Sequence, residues 1–325
     1  MKKVFLSVGL IGIVAVVTVL SCKKTKYNAA GPTQTLNQLF AGLRTTPQKL
    51  SVSAGRDTIV YGTNGTMLHF YVNSFKTVGG TIITSGTINL QLVEMYSVGD
   101  MIANRTSTIT PDGKLIQSTG QVNITATMNG ATVYANKYGL GFAQNGSSSQ
   151  KMEMFYGSTN TSDSTANWTV CDTTLPGTVS YGTDSAGDSV FYSNYTYVPP
   201  PKPWYYVFDS CSSFGFMNSD YWSCYNGSLT QITAVMPDTS YNRRNTQVYV
   251  TLTADKVNLD MYDNDSGGFA EQVPPGLNYT IVAITNKNGS FYFCQQSGVT
   301  ASGLKVSMAM ASDAEGDIIS RLLGL

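Results

Sequence analysis

The hydrophobic rhythm of the chain changes along its length. Val4 to Leu20 is an apolar run broken only by Ser7, Thr18 and two glycines, and it carries no charge. Between Thr35 and Leu43, the residues Leu36, Leu39, Phe40 and Leu43 fall at i, i+3, i+4 and i+7, which predicts a short amphipathic helix. From Lys49 onward the period becomes two. Residues 49–53, 58–61, 67–72, 87–93 and 121–127 read as strands, and after a break so do 246–252, 257–262, 279–285, 290–294 and 305–310. Asn64-Gly65, Asn129-Gly130 and Asn286 to Gly289 supply hairpin turns between such runs. The end reverts to a helical pattern. Ser312 to Glu315 has capping-box spacing, and Ile318, Ile319, Leu322 and Leu323 form an apolar stripe expected to fold back onto the preceding strands.

Short strands separated by Gly, Asn, Asp and Ser predict an all-β protein of two β-sandwich-like domains, with short helices near the mature N-terminus and at the C-terminus. Residues 171–190 are rich in Thr, Ser, Gly and Asp, and Val198 to Pro203 holds four prolines, the composition of a stiff extended segment. The division expected is therefore 34–170, a linker at 171–203, and 204–325.

The basic start Met1-Lys2-Lys3 and the apolar run end at Val19-Leu20-Ser21-Cys22. This resembles a bacterial lipoprotein lipobox. The resemblance implies a signal peptide at 1–21, lipid on Cys22, a tether over 22–33 and a membrane partner reached through that lipid. Several acyl chains hold a domain on a bilayer where one myristoyl chain would be marginal. No Asp follows Cys22, so by the sorting pattern of such lipoproteins the expected location is the outer membrane.

Composition narrows the chemistry. Only 12% of residues are charged, 20 basic and 20 acidic, against about 25% in ordinary soluble domains. Net neutrality offers no electrostatic footprint for nucleic acid. A single histidine, His69, leaves no multi-histidine metal site, and His69 reads as an ordinary strand residue. No cofactor motif is present. Four cysteines remain beside Cys22; Cys211 and Cys224 flank one short segment and are the candidate disulfide. Asp263 and Asp265 invite a calcium reading, but position twelve of that loop is Pro274 where an EF-hand needs Glu.

Two stretches carry a family resemblance. Ile59, Gly62, Gly65-Thr66, Asn73-Ser74-Phe75, Gly86, Glu94-Met95-Tyr96, Asp100-Met101-Ile102 and Ser118-Thr119-Gly120 make up the first. It resembles the N-terminal β-sandwich of uncharacterised Bacteroidota lipoproteins, distantly similar to the module of zonula occludens proteins, ankyrins and netrin receptors. Phe214 to Trp222 looks like the G-W-I-N-C-D-x-F signature of the same group, with Phe216 for Trp and Ser219 for Cys. Val273 to Leu277 before a strand is similar to the edge of transthyretin-like sandwiches. The resemblance implies architecture and cell envelope, and it brings no catalytic residue.

The function these readings favour is a lipid-anchored envelope module, structural or ligand-binding, with a glycan or protein as ligand and no enzymatic activity. Its candidate binding aromatics are Trp204, Tyr206, Tyr221 and Trp222, because rings supply contact area at low entropy cost. The alternatives are a carbohydrate-active enzyme working through a carboxylate pair and an accessory subunit of an outer-membrane assembly.

Overall fold

A computed structural model describes residues 34–110, 112–144, 152–159, 166–170, 182–183, 189–190, 204–222, 227–264 and 268–325. The protein is mostly β, in several sheets, with short helices near both ends of the described chain.

The first unit contains β1 (Gln48–Ser53), β2 (Thr58–Tyr61), β3 (Met67–Phe70), β4 (Thr87–Met95), β5 (Ile116–Met128), β6 (Tyr138–Gln144), β7 (Glu153–Thr159), β8 (Ala166–Val170), β9 (Trp204–Cys211) and β10 (Gly215–Trp222). Its larger sheet runs β1-β4-β5-β10-β7-β8 and its smaller one β9-β6-β3-β2, antiparallel throughout. Period two decides the faces. Ile88, Leu90 and Leu92 of β4 and Val122 and Ile124 of β5 meet Leu68, Phe70, Leu140, Phe142 and Phe208 of the smaller sheet in one core. Each such side chain contributes about 1.5–3 kcal/mol by burial, so a one-residue slip would turn the core face to water. Asn129-Gly130 makes the predicted tight turn, with φ of 51° and 81°.

The proline-rich segment is not the domain boundary. Residues 204–222 belong to the first unit: β9 pairs with β6, and β10 lies inside the larger sheet between β5 and β7. Prolines favour an extended chain but carry no information about where that chain goes next. The second unit starts only after Trp222.

It contains β11 (Thr230–Val235), β12 (Thr246–Leu252), β13 (Val257–Asp260), β14 (Tyr262–Asn264), β15 (Gly268–Val273), β16 (Asn278–Lys287), β17 (Ser290–Val299), β18 (Leu304–Ser307) and β19 (Ala311–Ser312). The sheet β14-β15-β11-β18 faces the sheet β13-β12-β16-β17-β19. The run 257–262, expected as one strand, is split at Met261 and delivers its halves to opposite sheets.

The larger sheet of this unit is buried on both faces. Val248, Val250, Ile281 and Ala283 point into the sandwich, while Tyr249, Val282, Ile284 and Phe293 point the other way. That reverse face is covered by α1 (Gln34–Leu43), α2 (Val98–Ala103) and α3 (Glu315–Leu323). The helix expected at 35–43 therefore forms, with Leu36, Leu39, Phe40 and Leu43 buried, yet it packs on the second unit and not on the strands that follow it. The stripe on α3 folds back as expected through Ile318 and Leu322, whereas Leu323 stays 66% exposed. The capping box at Ser312 does not form. Ser312 sits in β19, and Ala314 is the N-cap with no side-chain bond. A capping box does form at α2, where Ser97 and Asp100 each satisfy the other's backbone N–H.

Residues 104–110 tie the units together. Asn258 of β13 donates its side-chain amide to Thr106 O at 2.6 Å, and its backbone exchanges bonds with Thr108. On the other side, Gln121 of β5 and the Trp168 indole both donate to Ser107 O. Arg105, 1% exposed and at φ 57°, spans to Asn37 of α1 at 2.9 Å and Gln247 of β12 at 3.4 Å, with its guanidinium 4.9 Å above the Phe40 ring.

Candidate functional site

The first unit exposes an open cleft of about 360 Å³ on the outer side of its smaller sheet, lined by Asp57, Tyr71, Val72, Asn73, Asn136 and Lys137. The strand period builds it. Leu68 and Phe70 of β3 point into the core, so His69 and the following Tyr71 point outward. Gly139 of β6, the register partner of His69, leaves the space these rings fill. A Cβ there would come within 3.2 Å of the His69 Cβ and 3.3 Å of the Tyr71 hydroxyl.

Side-chain bonds stiffen the rim. The fully buried Ser74 accepts from Tyr71 N at 2.6 Å and donates to Lys137 O at 2.6 Å. Asn136 donates to Asn73 O at 2.9 Å. Phe75 anchors the same loop in the core against Phe70, ring centroids 4.8 Å apart. The Asn73-Ser74-Phe75 triplet thus holds two strand ends together so that Tyr71 and Lys137 stay side by side.

The cleft combines one acid, one base and an aromatic ring. His69 Nε2 lies 2.8 Å from Asp57 Oδ1, and the His69 and Tyr71 rings are 4.4 Å apart. The Tyr71 hydroxyl donates to Asp209 O at 3.4 Å. Burial, then the Asp209 and Asp57 carboxylates, push the Tyr71 phenol up to about 12, so it remains a donor at neutral pH. The Lys137 ammonium lies 5.8 Å from the Tyr71 ring centroid.

The sequence reads His69 as an ordinary strand residue, and it offers no binding role for Asp57, Tyr71, Asp209 or Lys137. Asp57, just ahead of β2, and His69 of β3 are twelve residues apart, and Asp209 arrives from β9. Only the outward period of β3 hinted at them.

The residues the sequence did single out lie elsewhere. Tyr206 is 2% exposed and part of the core, because β9 turns it inward with Phe208; it cannot serve as an open platform. Tyr221 is half-buried against the same core. The side chains of Trp204 and Trp222 lie outside the described residues, as do Cys22, Cys224 and Asp265. Cys211 is buried with its Sγ 3.5 Å from Phe208 O. Asp263 accepts from Arg243 N at 3.2 Å, and among the described residues no group of three His, Cys, Asp or Glu side chains is placed to hold a metal ion.

The motif residues of the first stretch do converge, on a second polar centre. Glu94, 1% exposed, accepts from Gln48 Nε2 at 2.6 Å, Asn64 N at 2.8 Å and Thr66 N at 2.9 Å. Tyr96 bonds Thr66 and accepts from Ala143 N. Gly62 has no room for a Cβ, which would lie 2.5 Å from Glu94 Oε1. This centre has every carboxylate oxygen engaged by the turn it holds, and its role is to pin residues 62–66. Comparison with models of known protein families and with curated protein sequences found no match.

Proposed function

We propose that this chain is a lipid-anchored cell-envelope binding module that takes its ligand in the Tyr71 cleft. The lipobox-like sequence ending at Cys22 supports the anchor and the outer-membrane location. One observation carries the binding role: Asp57, Tyr71, Asn73 and Asn136 line an open hollow whose rim is bonded into the sheet, so these groups are held in place before a ligand arrives. A glycan fits such a donor and acceptor set.

The Asp57–His69 pair is not arranged as a hydrolytic triad. In a hydrolytic triad the carboxylate orients Nδ1 and leaves Nε2 for the nucleophile; here Nε2 is the atom held by Asp57.

Two measurements test the proposal. Cys22→Ser is expected to release the protein from the membrane fraction or leave it unprocessed; unchanged size and fractionation would remove the anchor. The full chain in detergent is expected to bind a subset of an arrayed glycan set, with the signal lost in Tyr71→Ala. Binding undiminished in that variant would place the ligand surface elsewhere.

A further inference from the structure

We infer that the cleft recognises a primary ammonium group, carried by an amino sugar, and that Lys137 occupies that ammonium's place in the unliganded protein. The inference rests on the binding-module reading and adds the class of ligand.

Three observations converge on it. The cleft already holds an ammonium: Lys137 Nζ is positioned over the electron-rich face of Tyr71 at 5.8 Å, a cation–π distance. Lys137 is an exposed residue on a flexible four-carbon stem, so a ligand cation can displace it into water at small cost. With Lys137 displaced, the acid of the lining is uncompensated. Asp57 spends only Oδ1 on His69, its Oδ2 taking no hydrogen bond from the described residues, and Asp209, outside the lining, adds the field of its carboxylate at Tyr71.

An ammonium arriving here gains one carboxylate and one ring face in an open hollow. A uronate or sulfate would instead place its charge against Asp57. Asn73, Asn136 and the Tyr71 hydroxyl remain to pair with sugar hydroxyls. A peptide lysine shares the ammonium but not the neighbouring hydroxyls, which is why the saccharide is preferred.

The test is calorimetric titration of the full chain in detergent with three matched oligosaccharides and one peptide. The four probes are a glucosamine hexamer, its N-acetylated form, a galacturonate hexamer and a lysine-containing hexapeptide. At low ionic strength the amine form is expected to bind about tenfold more tightly than the N-acetylated form, the uronate to be weakest, and 0.5 M salt to erase most of the difference. Lys137→Ala is expected to tighten the amine form about threefold by removing the internal competitor, and Asp57→Asn combined with Asp209→Asn to collapse the amine preference. Equal binding of all three saccharides, or a preference untouched by the double variant, overturns the ammonium inference while leaving the binding module standing. A peptide that outbinds the amino sugar overturns the saccharide assignment. No binding by any of the four, with the array also blank, takes down the binding-module reading and the inference with it.

Discussion

Replacing Glu94 with Gln probes the turn beside the cleft sheet with almost no change in shape. The wild-type carboxylate accepts three bonds: Gln48 Nε2 and Asn64 N on Oε2, and Thr66 N on Oε1. An amide keeps one oxygen. If that oxygen serves the two donors at Oε2, the new NH2 confronts Thr66 N–H, donor against donor, at a residue that is 0% exposed. Rotating the Gln48 amide cannot relieve the clash, because Gln48 Oε1 already accepts from Thr63 N and Thr63 Oγ1, each at 2.7 Å. One buried donor is left unpaired and two charge-assisted bonds become neutral, together about 2–4 kcal/mol. Glu94→Ala removes all three acceptors and leaves a cavity, and should cost more. The assay is urea unfolding followed by tryptophan emission. All three tryptophans, Trp168, Trp204 and Trp222, lie on strands of the first unit, so the signal reports that unit alone. With a slope of about 2–3 kcal/mol per molar urea, the Gln variant should unfold about 1 M earlier. A midpoint shift below about 0.2 M would mean that water substitutes freely for the carboxylate, and the argument for a buried three-bond lock would fall.

Three further perturbations follow from the same structure. Asp220 is fully buried; desolvation holds its carboxyl well above the usual range, with the Ser118 hydrogen bond opposing only in part. The folded state then keeps a proton that the unfolded state has released, so above about pH 4 stability falls with rising pH, by up to about 1.4 kcal/mol per unit, until the folded group ionises. Asp220→Asn should therefore gain on the wild type as pH rises from 5 to 8 in urea midpoints, and parallel profiles would refute the buried neutral acid. Arg105→Ala strips the bonds to Asn37 and Gln247 and the Phe40 contact. It should cost about 1.5–3 kcal/mol, and hydrogen exchange should quicken selectively across residues 34–43; unchanged protection there would show that α1 is held by its apolar face alone. Ser97→Ala removes the cap of α2, where the Ser97 hydroxyl accepts from Asp100 N at 3.1 Å. A loss of about 1 kcal/mol in thermal or urea unfolding is expected, and no loss would mean that burial of Val98 and Ile102 suffices.

Much of the site and some of the fold escaped sequence reasoning for identifiable reasons. The cleft joins Asp57, Tyr71 and Lys137, with Asp209 bonded to the Tyr71 hydroxyl, and they meet only when β2, β3, β6 and β9 are laid side by side. No spacing rule links residue 57 to residue 209. The density of rings in segment 204–222 suggests a binding surface, yet strand alternation commits Tyr206 and Phe208 to the core. Composition counts rings and cannot tell which way they face.

What the sequence determined by itself was local and periodic. The i, i+3, i+4, i+7 spacing of Leu36 to Leu43 made a helix, the alternation in Thr87 to Val93 made a strand with a prescribed inner face, and Asn129-Gly130 and Asn288-Gly289 made turns because they tolerate positive φ. These outcomes depend on a residue and its near neighbours, whose sterics and apolar stripe are written in order along the chain. Tertiary structure alone decided partnership. It placed Gly215–Trp222 between strands that begin at residues 116 and 153, sent α1 past the first unit to the second, and turned His69 from a strand residue into the partner of Asp57. The physical reason is that sheet pairing and helix docking are selected by complementarity among distant surfaces, where loop-closure entropy depends only weakly on chain separation. An apolar stripe says that it must be buried; it does not say against what.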